Sequence, residues 1–326
     1  MPPSIHPPEI EVVPFVPDPS WIERFLPRRP QSNDHSNFRT ALSGILNSDG
    51  DILPAADSPL GRLWNILSSE DSVVEDCVGI IELDPILTTR IYRIANSAAS
   101  GGNAKSIYDA VLHVGYGQVR QLVCSSGVVK KTEKLRLPAG WDKFWFRSLF
   151  VARVTERLAA SFSRPSGNEY LAGLVHDIGW LLMATFFPQE LDQILANPGP
   201  SLREAELAIL SFTHEELSAA ICARSHLPGR VVNSVLYHHQ PPLIEMKQLS
   251  VQESAMFLGV LLSIGDKLAD TAGLGMGPAE ESLPIAEIAN TPEGHWLAAF
   301  GKKIDYERIL TEESARTAAS FSTIFG

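Results

Sequence analysis

The chain has 326 residues, of which 44% are hydrophobic and 20% are charged, so it is long enough to bury a core without disulfide or metal staples. Its formal net charge is −11 and no block of basic residues interrupts that balance, which disfavours a surface that tracks nucleic-acid phosphates. The three cysteines are far apart and form no CxxC pair, so neither a disulfide framework nor a zinc knuckle is supported, and a reducing cytoplasm is the expected location.

Residues 1–50 are predicted to be a proline-rich tail or linker, because nine prolines fall within the first thirty residues and hinder regular structure. The chain start shows no charged segment followed by an apolar one, so secretion is not indicated. The most apolar stretches, Leu171–Phe187 and Ala255–Gly265, are shorter than the roughly 20 residues that a membrane span needs. We therefore interpret both as core helices and expect no membrane partner.

Residues 51–137 are predicted to form an N-terminal helical subdomain of short, individually capped helices. Ser58-Pro59 opens one helix, and the other start signals are Ser72 with Glu75, Asp84-Pro85, and Ser106 with Asp109. Apolar residues follow each signal at helical spacing, which indicates that each helix has one buried face.

Residues 138–326 are predicted to form a second helical subdomain with a C-terminal helical extension, starting at the break Pro138–Gly140. The predicted helices are Trp141–Ala160, Asn168–Phe186, Ser201–Leu210, Thr213–Arg224, Gly229–Tyr237 and Val251–Thr271. Capping boxes are predicted at two of their starts, Ser201 with Glu204 and Thr213 with Glu216. Because no strand-like alternation of useful length occurs, we expect an all-α fold of two packed helical subdomains.

His176 and Asp177 stand side by side inside the apolar stretch Leu171–Phe187, where an ionised carboxylate is costly unless it is compensated. One interpretation is a buried histidine–carboxylate hydrogen bond beside unrelated surface histidines. The other is a metal site, since imidazole nitrogen and carboxylate oxygen both bind divalent metals. Further ligands would then come from other helices, and the candidates are His214, His238, His239 and Asp266.

The order of these residues resembles the HD superfamily of metal-dependent phosphohydrolases, and within it the non-catalytic signalling branch called HDOD. Leu171 through Gly179 is similar to the signature helix of the superfamily. The stretches similar to HDOD motifs are Glu82–Ile91, Arg93–Ala98, Ser106–Val111, Gln118–Arg120, Thr213–Leu217 and His226–Pro241.

The resemblance implies that the second subdomain is an HD-type helical bundle with metal-binding side chains at its centre. His176, Asp177, His214, His238, His239 and Asp266 match the metal positions, which leaves iron, manganese or zinc as candidate cofactors. In the phosphohydrolases an earlier histidine completes the metal shell, and the matching position here is Arg147. Arginine cannot ligate a metal, so Arg147 is expected either to pair with Asp177 or to be a solvated arginine.

Two further departures from the catalytic pattern, and one from the HDOD pattern, bear on function. Trp180 stands where the branch that hydrolyses cyclic dinucleotides carries a lysine, and that branch's Gly-Tyr-Pro motif is absent. Ser225 and His226 stand where HDOD proteins usually show tryptophan and glycine, which questions the packing of that helix end. We therefore expect weak or absent metal binding and assign no catalytic residue.

The favoured hypothesis is a regulatory signal-transduction protein with a degenerate HD-type site that acts through protein–protein interaction. The alternative is a metal-dependent phosphohydrolase acting on a nucleotide or cyclic dinucleotide, and a third hypothesis is a helical domain that senses a bound nucleotide or metal. The expected partners are signalling proteins, with a homodimer as a further candidate and no direct contact with nucleic acid.

Overall fold

The computed structural model describes residues 73–96, 104–115, 119, 142–162, 168–197, 199, 201–241, 253–275, 282–300 and 302–325. Within these ranges all regular structure is helical and no strand occurs, which confirms the all-α prediction. The helices are α1 (Val74–Ile81), α2 (Pro85–Ala95), α3 (Ile107–Val114), α4 (Asp142–Ser161), α5 (Glu169–Val175), α6 (Gly179–Phe186), α7 (Pro188–Ala196), α8 (Leu202–Ile209), α9 (His214–Arg224), α10 (Gly229–Leu236), α11 (Glu253–Thr271), a 3-10 helix (Ile285–Asn290), α12 (Pro292–Ala298) and α13 (Tyr306–Phe325).

Three of the sequence predictions lie outside the described residues. They are the tail at residues 1–50, the helix opened by Ser58-Pro59 and the subdomain break Pro138–Gly140. The division of the chain into subdomains therefore stays a prediction.

Local capping explains why several helices begin where they do. The Asp84 carboxylate accepts hydrogen bonds from two backbone N–H groups in the first turn of α2, and Ser106 and Ser201 cap α3 and α8 in the same way. At α9 the Glu216 N–H donates to Thr213 Oγ1 at 3.3 Å, and the Thr213 N–H donates to Glu216 Oε2 at 3.0 Å. These start signals, predicted from the sequence, are confirmed.

The predicted capping box of Ser72 with Glu75 lies partly outside the described residues, because Ser72 is not among them, and it stays a prediction. Within the described residues, helix α1 begins after Val73, and the Val73 N–H donates to the Asp76 carboxylate at 3.1 Å.

The predicted single helix Asn168–Phe186 is interrupted at His176–Ile178, and this is a correction. The Ile178 N–H reaches Val175 O at 3.2 Å and the Trp180 N–H reaches Asp177 O at 3.0 Å, so the turn tightens to i→i−3 spacing. In addition, the Gly179 N–H donates to Ser218 Oγ of α9 at 2.8 Å instead of to its own helix.

Two glycines allow the close packing on either side of this turn. A β-carbon at Gly173 would lie 2.5 Å from the Ala152 Cα of α4, and one at Gly179 would lie 2.4 Å from the His214 carbonyl oxygen. Both distances are far below van der Waals contact, so only glycine fits at either position. The turn that carries His176 and Asp177 is thereby held against α4 and α9.

Two apolar clusters form the core, and His176 and Asp177 lie between residues of the two clusters along the chain. The first joins α1–α3 to α4, α5, α10 and α11 through residues that include Ile91, Leu149, Leu174, Val235 and Leu261. The second joins the start of α4 to α6–α9 through residues that include Phe144, Trp180, Leu191 and Phe212. Val175 belongs to the first cluster and Ile178 to the second, so the two polar residues between them face the junction.

Among the described residues no single helix is long and apolar enough to cross a membrane. Glu169–Phe186 and Pro188–Ala196, which are bent by 116° relative to each other, meet the length and composition criteria only as a pair.

Candidate functional site

Five segments of the chain bring the predicted site residues together at one buried centre. Arg147 comes from the first half of α4, and His176-Asp177 occupy the turn between α5 and α6. His214 is the first residue of α9, His238-His239 follow α10, and Asp266 lies within α11. The structure therefore places all six candidate ligands and Arg147 in one group, while the metal-ligand role itself stays a prediction.

Arg147 is buried, with 2% of its surface exposed, and its guanidinium is surrounded by carboxylates. Its Nε donates to Asp177 Oδ2 at 3.1 Å, its Nη2 to Asp266 Oδ1, and its Nη1 to Asp270 Oδ1 at 2.6 Å. Of the two expectations for Arg147, the structure shows the buried ion pair and not the solvated arginine. We call Arg147 with Asp177, Asp266 and Asp270 the carboxylate side of the centre.

Asp270 was missed by the sequence reasoning, although a signal for it was present. It follows Asp266 by four residues in the apolar helix α11, so both carboxylates lie on one helical face. Leu274 O, one turn further on, also accepts from Arg147 Nη1 at 3.4 Å.

The opposite half of the centre consists of His214, His238 and His239, which we call the histidine side. Asp177 Oδ1 lies 3.6 Å from His214 Nε2 and 3.6 Å from His238 Nε2, so this carboxylate connects the two sides. His214 Nε2 lies 2.9 Å from His239 Nε2, and His239 Nδ1 lies 3.5 Å from Asp266 Oδ2.

Acceptors behind the histidine rings fix which nitrogen faces the centre. His176 Nδ1 lies 2.7 Å from Gly173 O and His238 Nδ1 lies 2.7 Å from Val235 O. Because a carbonyl oxygen only accepts, Nδ1 carries the proton in both rings and Nε2 faces inward. His176 Nε2 then lies 3.1 Å from Asp177 Oδ2 and, on its other side, 3.3 Å from an Asp266 oxygen.

Glu206 orients His214 in the same way and was also missed from the sequence. This fully buried glutamate of α8 lies 2.7 Å from His214 Nδ1 through Oε1, and it accepts from the His214 N–H at 3.0 Å through Oε2. Trp180 stacks on the His214 ring, with the ring centroids 4.9 Å apart and the planes inclined by 27°. The residue that replaces the catalytic branch's lysine therefore supplies an indole face and no amine.

The charges of the carboxylate side compensate one another. Burial alone would raise the pKa of Asp177, but the neighbouring His176 and Arg147 outweigh it and hold that pKa well below its usual value. Burial is outweighed at Asp266 as well, mainly by Arg147, and its pKa is also lowered. At Asp270 burial prevails over Arg147 and raises the pKa to about 6.

The pKa values of the histidines differ according to their neighbours. Burial would lower the pKa of His176, but Asp177 and Asp266 raise it to about 9. Glu206 overcomes burial at His214 and raises its pKa, whereas burial and the adjacent His238 lower the pKa of His239 to about 3. His239 is therefore neutral and presents a lone pair.

Three groups of side chains in the described part of the chain have ligand atoms within 4.8 Å of one another, as a shared metal ion requires. They are His214 with His238 and His239, His176 with His238 and Asp266, and Glu206 with His214 and Glu215. His238 Nε2 and Asp177 Oδ1 are buried and have no hydrogen-bond partner in the described structure. A buried imidazole nitrogen and a carboxylate oxygen 3.6 Å apart are also spaced as two ligands of one cation would be.

Comparisons with known proteins agree with the helical architecture and the histidine motifs. A family profile described as the HDOD domain matches residues 53–241, which is more than half of the chain. The chain belongs to the HDOD family. The matched region includes all the candidate ligands except Asp266, and it also leaves out Asp270.

Two solved structures of similar fold come from Methylococcus capsulatus and Geobacter sulfurreducens. The MmoQ response regulator from Methylococcus capsulatus is 24% identical with a TM-score of 0.59, over 79% of this chain and 97% of that protein. An HDOD domain protein from Geobacter sulfurreducens is 23% identical with a TM-score of 0.51, over 89% and 97%. At these identities the likeness shows the fold alone.

One relative found by sequence is an uncharacterized protein from Treponema pallidum, 24% identical over 221 residues. That match covers 65% of this chain and 42% of the relative, so the chain spans less than half of the relative's length.

Proposed function

We propose that this chain is a regulatory signal-transduction protein whose HD-type centre is a polar core that does not hydrolyse phosphoesters. The observation that carries the proposal is the position of Arg147, which is bonded to the carboxylates of Asp177, Asp266 and Asp270. Membership of the HDOD family and a fold shared with a response regulator support the signalling role.

Arg147 opposes hydrolysis in two ways. A guanidinium offers only donors, so the position supplies no ligand. Its charge also occupies one oxygen each of Asp177 and Asp266, which are the oxygens that would hold a cation on the carboxylate side. A second cation there would meet a fixed positive charge within hydrogen-bond distance of its own ligands, so a two-metal centre is disfavoured.

The donor set of the histidine side fits one divalent cation. Ligands about 2.0–2.2 Å from a tetrahedral ion lie roughly 3.4 Å from one another, close to the 3.6 Å between Asp177 Oδ1 and each Nε2 of His214 and His238. Glu206 and Val235 O already hold the outer nitrogens of these rings, as carboxylates and carbonyl oxygens do behind metal-ligating histidines. Iron, manganese and zinc all accept this donor set.

A cation held there would supply Lewis acidity and lower the pKa of a bound water. The chain's own residues limit the use of such a water. Trp180 covers the His214 ring and contributes no group that can transfer a proton to a leaving group. His176 faces carboxylates that are already paired with Arg147. A single-ion centre of this kind suits a structural or sensing role within a signalling protein whose partners are other proteins.

The alternative is a metal-dependent phosphohydrolase, and the observation in its favour is that the buried His238 Nε2 and Asp177 Oδ1 lie 3.6 Å apart, a spacing that two ligands of one cation would have. Turnover separates the two functions. The purified protein is supplied with manganese or iron and assayed on a cyclic dinucleotide and on a generic phosphodiester, with Asp177→Ala as the control. We expect no turnover above that control. Sustained hydrolysis that is lost in Asp177→Ala would establish the phosphohydrolase instead.

A further inference from the structure

Asn96, at the end of α2, forms hydrogen bonds with two distant parts of the chain. Its Oδ1 accepts from the Ala104 N–H at 2.7 Å, which lies just before α3. Its Nδ2 donates to the carbonyl oxygen of His226 at 3.0 Å, in the turn that joins α9 to α10. One side-chain amide therefore links the helices before residue 115 to the bundle that carries the histidine side.

The turn that receives this bond has an unusual backbone conformation. His226 has a φ of +56°, in the left-handed region that favours glycine, and its side chain is exposed. The His226 N–H donates to Ala223 O and the Leu227 N–H to Cys222 O, both at 3.0 Å, so α9 ends in a left-handed cap. The hydrogen bond from Asn96 fixes the orientation of the peptide between His226 and Leu227, whose carbonyl oxygen accepts it.

The geometry of this turn sets how α9 and α10 diverge. His214 is the first residue of α9, and His238-His239 follow the last residue of α10. The rings of His214 and His239 are 4.9 Å apart, and those of His214 and His238 are 5.6 Å apart. A rotation at residues 225–228 would therefore change the spacing within the histidine side.

A second bond ties the same N-terminal helices to the other arm of the centre. Tyr170 Oη, in α5, donates to the Glu82 carbonyl oxygen at the end of α1 with a length of 3.1 Å. Helix α5 ends at the turn that carries His176 and Asp177. The N-terminal helices thus contact two of the segments that position site residues, namely the α9–α10 turn and α5.

We propose that Asn96 is a positioning residue that couples the N-terminal helices to the histidine side through the His226 carbonyl. This proposal rests on the proposed regulatory function. In it, a partner protein that shifts α2 changes the spacing of His214 and His238-His239. The coupling requires the side-chain N–H donor of Asn96 and not only its acceptor oxygen. A variant that keeps the acceptor and lacks the donor therefore tests it.

Asn96→Asp separates the two bonds. The isosteric carboxylate keeps an acceptor for the Ala104 N–H, but it has no donor for the His226 carbonyl and repels it. Asn96→Ala removes both bonds. Asn290→Ala, in which the lost amide bonds only the nearby Glu287, is the matched control.

The readout is the set of imidazole proton resonances of the full-length protein, assigned with His214→Gln and His239→Gln variants, at a temperature where circular dichroism shows every variant to be folded. We expect Asn96→Asp and Asn96→Ala to shift the His214, His238 and His239 resonances together, with Asn290→Ala unchanged. If Asn96→Asp leaves these resonances at wild-type positions while Asn96→Ala moves them, the bond to Ala104 is responsible and the coupling is absent. If neither variant moves them, the coupling is also absent. The imidazole resonances do not depend on phosphoester turnover, so the proposed function and the coupling fail separately.

Discussion

The two sides of the buried centre share the Asp177 carboxylate but differ in how their charges are compensated. On the carboxylate side, one guanidinium is bonded to three aspartates, and the pKa values of Asp177 and Asp266 are lowered. On the histidine side, the buried His238 Nε2 and Asp177 Oδ1 lie 3.6 Å apart, beyond hydrogen-bond distance, and no guanidinium compensates them. Under the proposed function, the arginine in place of one ligand satisfies one half of an HD-type site and leaves the other half as the candidate cation site.

The largest expected effect comes from removing the Arg147 guanidinium from the carboxylate side. Arg147→Ala leaves three aspartates without their buried partner, which should destabilise the fold by about 3–5 kcal/mol. Urea unfolding measures this difference. Arg157→Ala is the control, because its 3.0 Å pair with Glu312 is about one-third exposed on each side and should contribute about 1 kcal/mol or less. Equal effects of the two substitutions would show that the carboxylate side is not charge-compensated by Arg147.

A change of metal content should follow when Arg147 is converted into a ligand. Arg147→His removes the fixed charge and adds a metal-binding nitrogen beside His176, Asp177 and Asp266. The carboxylate side thereby gains the capacity to bind a second ion. Elemental analysis after equilibration with manganese and dialysis counts the ions per chain. Arg157→His should leave the count unchanged. An unchanged count in Arg147→His would mean that Arg147 is not what keeps metal from that side.

A smaller effect is expected at the turn that positions the histidine side. His226→Gly should stabilise the fold by about 1 kcal/mol, because a β-carbon is costly in a left-handed conformation and φ there is +56°. The reverse should hold at His113, which is exposed within α3, where His113→Gly should destabilise by about 0.3–0.5 kcal/mol, because glycine is a poorer helix former than histidine. Thermal unfolding of the two variants gives the signs, and a destabilised His226→Gly would contradict the assignment of strain.

The smallest effect is expected at Glu82, a carboxylate whose pKa is raised, whereas the pKa of Asp177 is lowered. Burial, and then Glu156, raise the pKa of Glu82 above its usual 4.5. A raised pKa means that the folded state binds the proton more tightly, so stability present below about pH 4.5 is lost as pH rises through the folded-state value. Glu82→Gln should therefore raise stability at pH 7 by a few tenths of a kcal/mol, given solvent screening, and should have no effect near pH 4. The exposed Glu307→Gln is the control, and an effect of Glu82→Gln that is independent of pH would contradict this account.

The sequence predicted those parts of the structure that depend on local chemistry. Asp84-Pro85 and Thr213 with Glu216 mark helix starts because each cap is completed within a few residues. Helix α7 was not predicted, although Pro188 at its first position was a usable signal.

The remaining features depend on contacts between distant segments. The interruption at His176–Ile178 requires the bond from Gly179 to Ser218, 39 residues away. The ion pair from Arg147 to Asp270 joins residues 123 apart, and a glutamate such as Glu206 resembles any helix-surface acid until the fold buries it. Spacing along the chain carries no information about such contacts.

The most direct test of the central claim is the position of a bound cation. A crystal structure of the protein equilibrated with manganese, with anomalous scattering to locate the ion, distinguishes the two sides of the centre. We expect one ion, bound by His214, His238 and Asp177 Oδ1, with Arg147 still bonded to Asp177 Oδ2 and Asp266. Two ions about 3.5–4 Å apart and bridged by Asp177, with Arg147 displaced, would contradict the claim and indicate a two-metal hydrolytic centre.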